Sequence, residues 1–361
     1  MNILHVVRQF SPAIGGLEAY VKNMAVQQKK LGHKCTVLTL DKIFHSDGNK
    51  LVNHEFINEI EVYRVPFIGK QKFFIPIVAP SFFKKFDIIH VHNTDVFFDY
   101  ISLISFYTKK PIFTTTHGGF FHTKDLSRIK KYYFNLITKK SCKRYNAIFA
   151  ISKNDYNIFQ GTNKNLLLKH NAIAPLGNFI ASGQDFIYIG RLSKHKNVNA
   201  LISTFAELKS EYSTKGKLHI IGPEWDVTRE ELSKSSQKLD VENDVVIYGF
   251  VADQDMEKIL KKCGYFLSAS SFEGFGMSML EAMSVGLIPF VQPNESFSDL
   301  VNQGNIGNCV DFTNSKKAAS QINNGIEAIT EEQRLAAQEF AAKFSWHELA
   351  QATIDSYKEY S

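Results

Sequence analysis

Two segments of the sequence combine charge with glycine in a pattern suited to an anionic ligand. In Glu273-Gly274-Phe275-Gly276-Met277-Ser278-Met279-Leu280-Glu281, one carboxylate sits on a glycine loop and a second lies eight residues on. Glycines let the backbone approach a ligand closely. The start of the helix that follows offers unpaired N–H groups to phosphate oxygens. Glu281, about two turns into that helix, can reach a different part of the same ligand. In Gly190-Arg191-Leu192-Ser193-Lys194-His195-Lys196-Asn197, two cations can converge on a diphosphate. Arg191 supplies forked hydrogen bonds and Lys196 a point charge. Such a pair can neutralise a leaving diphosphate without a metal.

Three weaker signals accompany them. Thr114-Thr115-Thr116-His117-Gly118-Gly119-Phe120-Phe121-His122-Thr123 places His117 at the end of an apolar run, where ligands meet open α/β sheets. His90-Val91-His92-Asn93 ends another such run. Two histidines two apart hint at a metal, but that needs further acidic or cysteine ligands, and none is indicated; His92 is expected in a cleft and His90 in a structural role. Asp253-Gln254-Asp255 has the spacing of a metal-binding acid pair. It falls just before the helical pattern Met256 to Lys262, so helix capping and first-turn electrostatics are its expected role.

The elements that must position these residues alternate. Ile3 to Val7 reads as a strand, Gly15-Gly16 as a loop, Leu17 to Leu31 as a helix and Cys35 to Leu40 as a second strand: a βαβ unit. The full G-x-G-x-x-G fingerprint is absent, which argues against a simple dinucleotide enzyme. Strand-like runs follow at Ile88 to His92, Pro111 to Thr116 and Ala147 to Ile151. After a less regular stretch, Asn163 to Gly183, the alternation restarts with strands at Phe186 to Gly190, Leu218 to Gly222, Val245 to Phe250, Tyr265 to Ser268 and Ile288 to Val291. Helices are expected at Val198 to Leu208 and around Met277 to Val285. Alternation of this kind predicts two α/β units, each a parallel sheet covered by helices, with a hinge between residues 165 and 180.

Composition sets the frame. A chain of 361 residues exceeds one comfortable core and suits two domains. The four cysteines have no C-x-x-C spacing, so neither a zinc site nor a disulfide framework is expected, and a reducing cytoplasm fits. No signal peptide and no run of about 18 apolar residues is visible. The net charge of +6 conceals an asymmetry: residues 1–170 hold 25 Lys and Arg against 11 Asp and Glu, the remainder 17 against 25. The first part thus carries +14 and the second −8, which predicts an anionic partner for the first. Asp125 to Tyr145 sets Arg128, Lys130, Lys131, Lys139, Lys140, Lys143 and Arg144 among aromatic and aliphatic residues. This is the pattern of a basic amphipathic helix on an anionic membrane.

The Glu273…Glu281 segment resembles the Glu-seven-residues-Glu signature of a large family of retaining glycosyltransferases, glycosyltransferase family 4. The Gly190–Asn197 segment resembles that family's Gly-Arg-Leu-x-x-x-Lys-Gly/Asn element, and the other motifs fall in the family's order along nearly the whole chain. The resemblance implies a GT-B fold: two Rossmann-like domains facing a cleft, residues 1–170 binding acceptor and 171–345 binding nucleotide sugar. The final segment, from Ser345-Trp346-His347 onward, would cross back as a helix over 346–361. It implies donor-sugar contacts for Glu273, ribose contacts for Glu281, and backbone N–H contacts from Phe275, Gly276 and Met277. Arg191 and Lys196 would hold the diphosphate, and His117 a donor-sugar hydroxyl near the reaction centre. His117, Glu273, Arg191 and Lys196 form the expected catalytic set. Gly16, Gly190, Gly222, Phe250 and Val251 complete the donor contacts; Gly15, His92 and His122 would meet the acceptor.

His-Gly-Gly-Phe-Phe-His-Thr further resembles a subgroup that includes exopolysaccharide α-mannosyltransferases acting on polyprenyl-diphosphate-linked sugars. This implies hexosyl transfer from GDP-mannose, without metal or cofactor, in bacterial surface polysaccharide synthesis. The site of action would be the inner face of the cell membrane. No nucleic-acid partner is expected. The alternatives are a UDP-sugar-dependent transferase of the same fold, a GT-B nucleotide-sugar epimerase, and a non-catalytic nucleic-acid-binding protein using the basic half; the last lacks any readable nucleic-acid motif.

Overall fold

The computed structural model describes residues 1–13, 15–44, 50–70, 73–117 and 132–361. The chain divides into two compact units, residues 1–171 with 346–361, and residues 172–345. In the first, a sheet of eight strands runs in the order β10-β9-β8-β7-β1-β2-β4-β3. These are β1 Asn2–Val6, β2 Lys34–Leu40, β3 His54–Ile57, β4 Ile60–Val65, β7 Ile88–His92, β8 Ile112–Thr115, β9 Ala147–Ala150 and β10 Leu166–Leu168. A separate hairpin pairs β5 Phe67–Lys70 with β6 Phe73–Pro76. All five residues of β7 are buried, as are four of five in β1, the mark of strands covered on both faces. Apolar clusters lie on either side. One includes Leu4, Val91, Phe97 and Ile148; the other includes Ile3, Val21, Phe113, Ile354 and Tyr357. The last two belong to the C-terminal helix Trp346–Tyr360, which returns to the first unit and packs beside the helix Gly16–Lys30.

The second unit carries a six-stranded parallel sheet in the order β13-β12-β11-β14-β15-β16. Its strands are β11 Asp185–Ile189, β12 Leu218–Ile221, β13 Val245–Ile247, β14 Cys263–Ser268, β15 Ile288–Val291 and β16 Asn308–Cys309. Numbered from β11, this is the doubly wound order 3-2-1-4-5-6.

Three expectations are corrected. The first sheet is not wholly parallel: β3 pairs antiparallel with β4 at the edge, and its alternating exposure suits a strand with one wet face. A short strand, β10, lies within the stretch read as irregular and pairs parallel with β9. The helix Asp253–Leu260 is capped by Ala252 with no side-chain cap, so the aspartates stand in its first turn and do not cap it. Asp255 still favours the positive helix end there, and its carboxylate accepts a 2.9 Å bond from Lys258.

Candidate active site

Strand order reverses between β11 and β14 in the second unit, and ligands bind doubly wound sheets beyond the carboxyl ends at such a point. The two charged motifs leave the sheet here. The loop after β11 carries Arg191 and Lys196; the loop after β14 carries Glu273. They are stitched together: the Ser271 N–H and hydroxyl both donate to the His195 carbonyl, at 2.9 and 3.1 Å. The Lys196 ammonium donates to the Glu273 carboxylate at 2.5 Å, with side chains only 15% and 12% exposed. Asn197 follows in a left-handed conformation, φ 50°, which explains why Asn serves where Gly would also serve. The hydroxyl of Ser296 holds the Glu273 carbonyl at 2.7 Å, fixing the loop that carries the acid.

Backbone proximity is enforced beside these charges. Gly222, which follows β12, has φ 147°, and a Cβ there would collide with the Gly190 carbonyl. Gly276 has φ 95° and begins the helix Met277–Met283 with no side chain capping it. Glu281, in that helix, is desolvated, and burial pushes its pKa up from 4.5 to about 7. Phe275 is partly buried, its ring edge-on to Phe344; Met277 is exposed. Phe250 is 92% exposed, with Val251 half-buried behind it. One residue was missed from sequence. Trp225 is 71% exposed, and the Arg191 guanidinium lies 5.2 Å from its ring centre. A tryptophan three residues beyond the Gly222 turn was the available signal, since cations stack favourably on exposed indoles.

In the first unit, strand order reverses between β1 and β7, and the carboxyl ends of β1, β7 and β8 bring together His5, His90, His92 and His117. His5 Nδ1 lies 2.9 Å from His92 Nε2, and His5 Nε2 lies 2.9 Å from Gln28 Oε1. His92 Nδ1 is 3.3 Å from His117 Nε2. His90 bonds to the Tyr357 hydroxyl at 2.5 Å and to the Thr115 hydroxyl at 2.8 Å. Ring nitrogens of His5, His90 and His92 fall within 4.8 Å of one another, so the third metal-ligand candidate that the sequence did not indicate is His5. However, the His90 and His92 rings are stacked, 4.4 Å apart and 17° from parallel. Their in-plane lone pairs therefore cannot converge on one ion, and the cluster is built as a hydrogen-bond chain. Burial lowers the pKa of His5 to about 4 and of His117 to about 3, and holds His90 and His92 well below 6.5. All four are neutral at pH 7.

His117 has φ 55°, a strained conformation for a non-glycine residue that marks functional positions more often than others. The Tyr20 ring stands edge-on to it at 4.4 Å. Gly15 is extended and begins the helix Gly16–Lys30, and Gly16 has open space about it. His122 lies outside the described residues, as do Arg128, Lys130 and Lys131.

Two doubly wound units in one chain, with charged loops at the switch point of the second and the C-terminal helix returned to the first, define the GT-B type. The chain belongs to the glycosyltransferases: residues 14–164 match Glycosyltransferase Family 4 and residues 178–343 match Glycosyl transferases group 1. A GDP-mannose:cellobiosyl-diphosphopolyprenol alpha-mannosyltransferase of Komagataeibacter xylinus is 30% identical, over 99% of this chain and 93% of its own length. The Xanthomonas campestris protein of the same name is 29% identical, over 99% and 96%. Among solved structures, Anabaena Alr3699/HepE in complex with UDP superposes with a TM-score of 0.72 at 17% identity, over 99% of this chain and 100% of its own.

Proposed function

We propose that the protein transfers a mannosyl residue from GDP-mannose to a saccharide carried on a polyprenyl diphosphate, in bacterial surface polysaccharide synthesis, with retention and without a metal. The observation that carries this reading is the stitched pair of loops at the β11/β14 switch point, where Lys196 pairs with Glu273 and Arg191, on the same loop as Lys196, lies against Trp225. Two full-length relatives named for GDP-mannose and a diphosphopolyprenol acceptor support the choice of donor and acceptor. In the proposed reaction, residues 172–345 hold the nucleotide sugar and residues 1–171 the acceptor. The diphosphate draws the Lys196 ammonium from Glu273 or shares it, freeing the carboxylate for donor-sugar hydroxyls. Glu281 accepts from the ribose hydroxyls. Gly190, Gly222, Phe250, Val251, Phe275, Gly276 and Met277 line the donor. In the first unit, Gly15, His92 and His122 meet the acceptor. The bond from C1 to the diphosphate oxygen breaks, its electron pair leaving with the phosphate. The acceptor oxygen bonds to C1 on the same face, and its proton passes to the departing diphosphate.

One experiment tests the whole. Thermal shifts with GDP, UDP and ADP and their sugars identify the base, since a ligand at a hundred times its dissociation constant adds about 2.7 kcal/mol. Transfer to a diphosphopolyprenol saccharide is then followed with and without EDTA, and the product anomer is read by NMR. Stabilisation by GDP-mannose with an EDTA-insensitive α-linked product is expected. A β-linked product overturns retention; loss of activity in EDTA with recovery in Mg²⁺ overturns the metal-free reading.

The +14 half suggests where this happens. On the first unit, Leu136, Ile137, Leu103 and Phe106 are exposed beside Lys140 and Arg144, around a groove of about 500 Å³. Among the described residues, no helix is long and apolar enough to cross a membrane. We read this surface as a reversible contact with the anionic cytoplasmic face of the membrane, where the acceptor lipid resides.

A further inference from the structure

We infer that Gln28, His5 and His92 form a relay that fixes the tautomer of His117, leaving its Nδ1 bare as a hydrogen-bond acceptor for a substrate hydroxyl. This rests on the proposed placement of His117 at the reaction centre. Burial keeps every ring in the chain neutral at pH 7, so each carries one N–H and one lone pair. A row of such rings must therefore be aligned head to tail. Its direction is set at the buried end. Gln28 Oε1 can only accept, from His5 Nε2–H at 2.9 Å and from the Cys35 thiol at 3.7 Å. The amide nitrogen of Gln28 turns to the Tyr357 hydroxyl at 3.4 Å. His5 Nδ1 is then bare and accepts from His92 Nε2–H; His92 Nδ1 is bare in turn and accepts from His117 Nε2–H.

His117 is the one ring of the chain that is not fully buried. Among the described residues its Nδ1 meets no partner. Its strained backbone and the edge-on Tyr20 ring hold the imidazole in place. The relay thus turns one orientational choice, deep beside the helix Gly16–Lys30, into the hydrogen-bond polarity of the half-buried ring of His117. His90, stacked on His92 but bonded to Thr115 and Tyr357, buttresses the chain without belonging to it. Gln28, His5 and His92 act through His117 and are positioning residues.

The test is spectroscopic first. Protein labelled with ¹⁵N-histidine, with His117 assigned by its loss in His117→Ala, should show a pyrrole-like Nε2 and a pyridine-like Nδ1 at pH 7. The opposite tautomer, a mixture or an imidazolium overturns the relay. Gln28→Met should mix the His117 tautomers and lower kcat by about tenfold, the scale of losing an orienting partner, with the donor KM unchanged. Gln28→Glu, which keeps the acceptor, should restore both signals. Normal kcat and an unmixed tautomer in Gln28→Met overturn the relay even if the wild-type tautomer is as stated. The expected tautomer together with full activity of His117→Ala would instead overturn the catalytic placement of His117, leaving the relay without a role in transfer.

Discussion

The two switch points of this molecule are alike in topology and opposite in chemistry. Beyond β11 and β14 stand an ion pair, an exposed arginine–tryptophan stack and glycines that bring backbone close. At the carboxyl ends of β1, β7 and β8 stand four neutral, mostly buried histidines, three of them, His5, His92 and His117, bonded in a row and the fourth, His90, stacked on His92. In the proposed reaction, charge is kept where the diphosphate is held and released, and neutrality where a substrate hydroxyl is oriented. A charged site can be remade by each ligand: in the proposed reaction Lys196 and Glu273 exchange each other for phosphate and sugar. A chain of neutral rings has no such freedom, since each ring's polarity is fixed by the one behind it.

The comparison breaks most readily at Lys196 and Arg191. Replacing either by Ala should lower kcat by about a hundredfold, the cost of one preorganised charge contact being on the order of 3 kcal/mol. Steady-state kinetics check this. Lys196→Ala should also lower the melting temperature more than Arg191→Ala, because it leaves the 12%-exposed Glu273 carboxylate without its cation. Near-normal turnover in both variants would place the diphosphate elsewhere.

How much of this contrast was legible differs between the sites. Each motif of the second unit fits within nine residues, and strand alternation predicts the parallel sheet that carries both loops; the reversal of strand order that joins them is seen only in the structure. The histidine chain is built from residues 5, 28, 92 and 117, drawn from two strands, the segment after β8 and a helix. His5 lies in an apolar strand run where nothing marks it, and Gln28 looks like any polar residue near a helix end. Only the parallel register, which sets His5 opposite His90, makes them neighbours. The antiparallel β3 and the β5–β6 hairpin were hidden for another reason. They fall in a stretch between β2 and β7 whose prolines, lysines and clustered aromatics obscure any period.

A second test sharpens the contrast through pH. Glu281 is raised to about 7 by desolvation. Between the unfolded value of 4.5 and about 7 the folded protein holds a proton that the unfolded chain has lost. Stability therefore falls as pH rises through this window and stays at the lower level above it. Glu281→Gln should remove that loss. It should melt higher than wild type at pH 8, by up to roughly 3 kcal/mol at 1.36 kcal/mol per unit, and show little difference near pH 4. Donor affinity should move the opposite way: wild-type binding should strengthen as pH rises through 7, because the carboxylate accepts from both ribose hydroxyls. In the variant both affinity and its pH dependence should be lost. Calorimetric melting and donor titration at pH 5, 7 and 8 check both halves. A flat donor affinity in the wild type would remove Glu281 from the ribose.

The smallest expected effect concerns the outer surface, where the units also differ. On the first unit, Lys139, Lys140, Lys143 and Arg144 are exposed. The Arg144 guanidinium lies 4.0 Å from the ring centre of Phe106, itself 66% exposed. The bends of the backbone here serve this surface. The π-helical turn Phe134–Thr138 buries Phe134 and Thr138 while leaving Leu136 and Ile137 outward, so apolar and basic groups share one face. Each Lys contributes at most about 1 kcal/mol, reached only at the anionic surface itself and falling off over about 8 Å at physiological salt. Reversing Lys139, Lys140 and Lys143 to Glu should therefore weaken sedimentation with anionic liposomes several-fold at low salt and less at high salt. Binding to neutral liposomes should be weak in both proteins. Transfer to a short soluble acceptor should survive the reversal, since the proposed donor groups belong to the other unit, while transfer to a lipid-borne acceptor in vesicles should fall. Equal binding of both proteins to anionic vesicles would leave the basic face without a membrane role. Equal loss on soluble and lipid-borne acceptors would show that these lysines support the acceptor site itself.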